Sequence, residues 1–454
     1  MRYLAIDIGA SSGRHIIAEL SGGKITLEEI YRFPNGPKAT PDGLVWDAEE
    51  LFRHIVEGLR RAGETGRRPD CIGIDTWAVD YALLDGDGEL IGPVYCYRDA
   101  RGGDAAGELH DRMPFSVIYS KTGIQYQPFN TVYQLRADAL SGRLDRASSM
   151  LMLPDWFNYR LTGVRRQEYT NATSTAMVSA ATGDWDDEIL SAAGVPRGLL
   201  GDIVQPGCEV GRLSAKMRSA IGYDAAVMLP ATHDTASAVL AAPLKGGPYI
   251  SSGTWSLLGI EQTAAHTDTG AMSGNWSNEG SIKGQFRFQK NIMGLWIVQQ
   301  VRHELNDVYS FAQLAEMARA HPTDKRVRVN DEKFLSPDSM LDAIFSEAGN
   351  MAVGETAYCV FASLAECYAD SVRELESLTG NTYGTLNIIG GGGNNRLLTE
   401  LTAKATGKRI IVGPTEGTAT GNILMQMIGT GELPDLKTAR EVVGNSFDIS
   451  EVMA

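Results

Sequence analysis

Residues 3–20 constrain the chain most. An apolar run, Tyr3-Leu4-Ala5-Ile6-Asp7-Ile8, carries a single acid and breaks into Gly9-Ala10-Ser11-Ser12-Gly13-Arg14. It resumes as His15-Ile16-Ile17-Ala18-Glu19-Leu20. The pattern predicts two strands joined by a turn of small residues. Small side chains leave backbone N–H groups able to wrap an anion such as a phosphate. An acid at the mouth of that turn, Asp7, can hold magnesium through water. An ordinary hairpin with a solvated Asp fits the same residues.

The plan recurs. Tyr249-Ile250-Ser251-Ser252-Gly253-Thr254-Trp255-Ser256-Leu257-Leu258-Gly259-Ile260 again reads as strand, Ser/Gly turn, strand. Two copies of one hairpin suggest a duplicated architecture with a boundary near 243–247, giving domains 1–243 and 244–454. A chain of 454 residues can bury a core in each half.

Between the hairpins, Ile25 to Phe33 extends the first into a three-stranded meander. Asp47 is placed to cap a helix carrying Leu51, Ile55 and Leu59 at helical spacing. Residues 72–85 read as a second acid-bearing strand, residues 97–101 as a polar loop, residues 154–163 as a helix stopped by Gly163, and residues 168–175 as a polar loop. Val227–Thr232 reads as a buried strand, followed by His233-Asp234-Thr235 and a small-residue helix over 236–242. The second half predicts helices over 294–308 and 356–379, then the strand Thr385–Ile389. Gly390-Gly391-Gly392-Gly393 leads that strand into a helix from Leu397, a geometry that lays backbone flat against a ligand and offers a helix N-terminus to negative charge. The strand 409–412 and a helix over 419–428 follow.

Net charge is −15, which argues against nucleic acid or an anionic membrane as the main partner. No window approaches 18 uninterrupted apolar residues, and the N-terminus carries no signal-like segment. Five cysteines without metal spacing fit a reducing cytoplasm. There is no Gly-Lys-Ser/Thr phosphate loop and no Gly-x-Gly-x-x-Gly opening a first strand–helix–strand unit.

Three Gly- or Ser-rich turns beside strands suit a nucleotide. Phosphoryl transfer to a sugar hydroxyl needs a base, magnesium and tight positioning. Asp234 is the candidate base: it sits at a strand end and a helix N-terminus, which favours its ionised form, next to His233 and Thr235. An N-cap without catalytic work fits that position equally.

Taken together, the motifs resemble the FGGY carbohydrate kinases, of the actin/hexokinase/Hsp70-type ATPase superfamily. The resemblance rests on Asp7-Ile8-Gly9-Ala10-Ser11-Ser12-Gly13-Arg14, Gly73-Ile74-Asp75-Thr76-Trp77-Ala78-Val79-Asp80, Gly123-Ile124-Gln125 and Pro128-Phe129-Asn130-Thr131. Tyr169-Thr170-Asn171-Ala172-Thr173, His233-Asp234-Thr235-Ala236-Ser237-Ala238-Val239, Ser251-Ser252-Gly253-Thr254-Trp255-Ser256 and Lys290-Asn291-Ile292-Met293-Gly294-Leu295-Trp296 follow in order. It implies an α/β fold of two actin-like (ribonuclease H-like) ATPase domains around a central cleft. It implies ATP as cosubstrate, Mg2+ as cofactor, and transfer of the γ-phosphate to the 1-hydroxyl of a small-molecule ketose, L-rhamnulose. L-fuculose or L-xylulose is the alternative acceptor. A non-catalytic actin/Hsp70-type binding protein is the alternative from another class, but no partner-binding extension follows the second half.

The resemblance also implies residue roles. Ala10, Ser11, Ser12, Gly13 and Arg14 contact ATP phosphates, Thr254 approaches the γ-phosphate, and Gln299 and Gly392 contact the nucleotide. Asp234 is the base. His233, Asp234, Thr235, Asn291 and the backbone at Ala78 hold the sugar, and Asp7 lies near magnesium. Where the pattern usually reads Thr-Trp-Gly-Val-Asp, this chain has Ala78, and an added methyl fits only if φ stays negative there. The expected location is cytoplasmic, as a monomer or homodimer.

Overall fold

A computed structural model of the chain describes residues 1–244 and 246–453. The chain divides into two compact units. The first comprises Met1–Ala241, Glu261–Phe288 and Thr418–Ser446; the second comprises Ala242–Ile260, Gln289–Gly417 and the segment from Phe447. The expected boundary stretch, 243–247, includes Lys245, which lies outside the described residues.

In the first unit, the meander forms as Arg2–Ile8, Ser12–Ser21 and Lys24–Pro34, all antiparallel. Arg2–Ile8 then pairs in parallel with Cys71–Thr76, which pairs in parallel with Ala226–Met228; Glu209–Arg212 closes that edge antiparallel. Strands buried on both faces read as continuous apolar runs. Accordingly Leu4, Ile6, Ile8, Ile72 and Ile74 have no solvent exposure. The helix Ala48–Glu64 covers the sheet. Its N-cap is Asp47, whose side chain accepts from Glu50 N, and it buries Leu51, Ile55 and Leu59 in the same core. Each such side chain contributes about 1.5–3 kcal/mol.

The second unit repeats the order. Ser256–Gln262 pairs antiparallel with Tyr249–Ser252, which pairs in parallel with Thr385–Ile389; Arg409–Val412 adds in parallel and Ser450–Val452 closes antiparallel. Hairpin, two parallel strands and an antiparallel edge thus occur in both sheets. The helix Val353–Thr379 buries Val360, Phe361, Leu364, Tyr368 and Leu375, and stops at Gly380 in the left-handed region (φ 67°).

Two expectations are corrected. Residues 72–85 are not one strand: Cys71–Thr76 ends, and Tyr81–Leu84 joins a different sheet. Between them Asp80 N donates to Ala78 O at 3.0 Å across Val79, whose φ is 68°. This is a γ-turn of the strained type, adverse for a β-branched residue at a cost of about 1–3 kcal/mol. Val79, not Ala78, carries the positive φ, so the methyl of Ala78 meets the condition set for it. The second correction concerns residues 168–175. Tyr169–Ser174 is a short helix, because buried Glu168 accepts from Thr170 N and Asn171 N.

Asp80 holds the turn. Its Oδ2 accepts from Trp46 Nε1 (2.6 Å), Trp77 Nε1 (2.8 Å) and Tyr97 N (3.1 Å), and its Oδ1 from Gln134 Nε2 (3.1 Å). Gln134 cannot flip to suit an amide, since Nε2 also donates to Phe129 O and Oε1 accepts from Arg101. Asp80→Asn therefore sets two amide donors against each other in a buried site. The expected loss is about 1–3 kcal/mol in denaturant titration; an unchanged midpoint would show that the turn does not depend on this carboxylate.

Candidate active site

The base candidate lies where the strand Ala226–Met228 leads, through Leu229 to His233, into the helix Asp234–Ala241. Thr76 N donates to Thr232 O at 2.9 Å, tying this crossing to the central strand. Asp234 is the first residue of its helix. Its Oδ1 accepts from Thr235 N at 2.6 Å and lies 3.5 Å from His233 Nε2. The Asp234 side chain is 31% exposed, enough for a substrate hydroxyl to reach it. Packing around the carboxylate raises its pKa, as does nearby Asp7 to a smaller extent; His233 and the Thr235 donors pull the other way.

Glu168 anchors the crossing from behind. Its Oε2 accepts from Thr232 N at 3.2 Å, Thr232 Oγ1 at 2.7 Å and Thr170 Oγ1 at 2.6 Å. Thr170 Oγ1 in turn accepts from His233 N at 3.3 Å. His233 meets a buried ion pair on its other side: Nδ1 is 3.0 Å from Glu279 Oε2 and 3.2 Å from Arg287 Nη2.

The phosphate-turn candidates lie in the same unit. Gly9 N donates to Ser12 O at 2.9 Å, Asn35 Nδ2 to Gly9 O at 2.8 Å and Asn35 N to Ser11 O at 3.0 Å, fixing Ala10 and Ser11 at the tip. Gly13 is required for packing: a Cβ there would lie 2.1 Å from the Phe33 ring. Asp7 and Arg14 are cross-strand partners, and Asp7 Oδ2 accepts from Arg14 Nη2 at 2.8 Å and Nε at 3.0 Å.

Asp7 also stands in parallel register with Asp75. Asp75 Oδ2 accepts from Asn422 Nδ2 at 2.5 Å, while its Oδ1 is buried without a hydrogen-bond partner. Burial, then Asp7, raises the Asp75 pKa well above the ordinary carboxylate range. Among the described residues no group of three or more His, Cys, Asp or Glu side chains gathers to hold a metal.

The second unit holds the other candidates. Its turn is set by Gly253 N donating to Trp255 O at 2.9 Å, with Leu295 N and Trp296 N donating to Gly253 O and Thr254 O at 3.0 Å each. Thr254 Oγ1 donates to Gln299 Oε1 at 3.4 Å, from the helix Trp296–Glu304. The glycine run packs on the same turn: a Cβ on Gly392 would lie 2.0 Å from Ser252 Oγ. Thr254, Gln299 and Gly392 are thereby gathered about one hairpin. Asn291, on the strand Phe286–Ile292, has a buried Oδ1 with no hydrogen-bond partner, an acceptor suited to a ligand hydroxyl.

Residue-level reading missed Glu168, Glu279, Arg287 and Asn422. Glu168 before Thr170-Asn171 carries a weak capping signal; the other three lie 46, 54 and 347 positions from the partners they serve, His233 and Asp75, and carry none.

Two duplicated α/β units with Gly/Ser turns, and an aspartate at a helix N-terminus, are the parts of a sugar-phosphorylating ATPase. The chain belongs to the FGGY family of carbohydrate kinases: residues 2–241 match the family's N-terminal domain and residues 248–430 its C-terminal domain. It is 42% identical to the rhamnulokinase of Bacillus subtilis (strain 168), over 99% of this chain and 94% of that one. The rhamnulokinase of Halalkalibacterium halodurans is also 42% identical, over 100% of this chain and 99% of its own. In fold, the ligand-bound xylulose kinase from Lactobacillus acidophilus superposes with a TM-score of 0.81 at 16% identity, covering 100% of this chain and 93% of that one. The chain is thus a carbohydrate kinase, a class that moves a phosphoryl group from ATP to a small-molecule sugar. Among the described residues no helix is long and apolar enough to cross a membrane.

Proposed function

We propose that this kinase transfers the γ-phosphate of ATP to the 1-hydroxyl of L-rhamnulose, giving L-rhamnulose 1-phosphate, with Asp234 as the general base. The observation that carries the reading is the Asp234 carboxylate. It is partly exposed, oriented by Thr235 N and set beside His233 at the head of a helix. The near-full-length likeness to rhamnulokinases supplies the ketose.

Asp234 accepts the proton of the attacking hydroxyl as that oxygen bonds to phosphorus and the bond to the ADP oxygen breaks. His233, Thr235, Asn291 and the backbone at Ala78 hold the sugar in line. Ala10 to Arg14 cradle the ATP phosphates, Thr254 approaches the γ-phosphate, and Gln299 and Gly392 contact the nucleotide. Domain 1–243 carries most of the sugar and phosphate contacts; domain 244–454 carries the nucleotide contacts and, in addition, Asn291 and Thr254. Asp7 would hold Mg2+, which when bound would neutralise phosphate charge. Arg14 pins the Asp7 carboxylate in place for it. A cytoplasmic enzyme, monomeric or homodimeric, fits five cysteines that are all unpaired.

Purified protein is to be assayed with ATP, Mg2+ and a ketose panel including L-rhamnulose, L-fuculose and L-xylulose, with the phosphorylated position fixed by NMR. The highest kcat/KM belongs to L-rhamnulose, because a site built for particular hydroxyls strongly penalises analogues lacking them. Preference for another ketose, or turnover of none, would overturn the assignment.

A further inference from the structure

We infer that Glu279 and Arg287 set the tautomer of His233, keeping its proton on Nδ1 so that Nε2 meets the ketose as a hydrogen-bond acceptor beside Asp234. The inference rests on the reading of Asp234 and His233 as the sugar site. Glu279 lies on the strand Ser277–Gly280 and Arg287 on the neighbouring strand Phe286–Ile292. The Arg287 side chain is 0% exposed, and its Nη2 is 2.9 Å from Glu279 Oε2; its Nε donates to Gly280 O at 3.1 Å. Paired with a guanidinium that cannot lose its proton, Glu279 is ionised and only accepts, while Arg287 only donates.

Nδ1 of His233 faces both groups and can satisfy one. With the proton on Nδ1, it donates to a carboxylate at 3.0 Å, a charge-assisted bond. With the proton on Nε2, Nδ1 accepts from Arg287 at 3.2 Å, and the Nε2–H meets Asp234 Oδ1 only at 3.5 Å, too long for a charge-assisted bond. The first arrangement wins. It leaves Nε2 and Asp234 Oδ1 as two acceptors side by side. They need donors, and two hydroxyls of a ketose supply them: one bound to Nε2, the other giving its proton to Asp234. Glu279 and Arg287 touch neither reacting atom, so they are positioning residues.

Histidine-15N NMR of the full chain at about pH 8, above the usual imidazole range, reads the tautomer directly. The His233 signal is assigned by its loss in His233→Gln. A proton on Nδ1 alone is expected. A proton on Nε2, alone or in an imidazolium, overturns the inference. Glu279→Leu removes the acceptor that Nδ1 and Arg287 Nη2 share at Glu279 Oε2, and leaves Arg287 Nη2 facing Nδ1 as a donor. It should move the proton to Nε2 and raise the ketose KM at least tenfold, with the ATP KM within twofold. A shifted tautomer with an unchanged ketose KM would refute Nε2 as the sugar's acceptor. If Glu279→Leu does not fold, the wild-type spectrum alone decides. If no ketose turns over, the function proposed above fails, while the spectrum still accepts or refutes the role of Glu279.

Discussion

Asp234→Asn should lose about 10³-fold in kcat, inside the 10²–10⁴-fold range typical of a positioned general base. The substitution isolates proton acceptance. Asparagine keeps the volume, and its carbonyl oxygen still accepts from Thr235 N, which Asp234 Oδ1 now does at 2.6 Å. The helix start therefore survives, and Tm should stay within about 2 °C, corresponding to less than about 1 kcal/mol. Because burial raises the pKa of Asp234, the acid limb of the wild-type kcat/KM profile should lie above the ordinary carboxylate range. Activity rises with pH as the base ionises, and the limb should vanish from the residual activity of the variant. Turnover within tenfold of wild type would remove Asp234 as base.

Gly421→Ala should destabilise the first unit by about 3 kcal/mol, the upper part of the range for overpacking. A Cβ at Gly421 would lie 1.7 Å from Ser237 O and 2.5 Å from Ser237 C. Those are backbone atoms of the helix Asp234–Ala241, so no side-chain rotation relieves the clash. The helix Gly417–Gly429 must move away from it. Asn422, the next residue, must then move relative to Asp75, and the helix headed by Asp234 must move relative to its sheet. A Tm loss of roughly 6–12 °C follows, at 2–4 °C per kcal/mol. A fall in kcat of at least about tenfold accompanies it, since small misplacements of a catalytic group are costly. Gly107→Ala is the control. It sits on the exposed side of the helix Arg101–Arg112 with nothing within 4 Å of its would-be Cβ, and should gain about 0.5–1 kcal/mol. Equal behaviour of the two variants would refute close helix contact as the reason for Gly421.

The correct and incorrect readings of the chain divide along physical lines. The helix capped by Asp47, the strand Thr385–Ile389 and the stop at Gly380 follow from residues within one or two turns of each other. Apolar period, cap and left-handed glycine are local properties, and local properties are written locally. Residues 72–85 read as one strand because their apolar run is continuous. The break at Val79 is enforced by donors on Trp46, Tyr97 and Gln134, none of them near it in sequence. Glu168 likewise turned a polar stretch into a helix by being buried against Thr232.

The opening stretch shows both sides. By itself the sequence determined that Tyr3–Arg14 makes a strand, a small-residue turn and the start of a second strand. It also determined that a second such hairpin follows from Tyr249, and that Asp234 stands where a strand meets a helix. Only the tertiary structure decided what each polar group faces. It paired Asp7 with Arg14, set Asp75 against Asn422, and put Glu279 and Arg287 at the back of His233. Hydrophobic periodicity specifies which face of an element is buried. The partner of a buried charge depends on which distant strand or helix packs there, and that is settled by the register of the whole sheet.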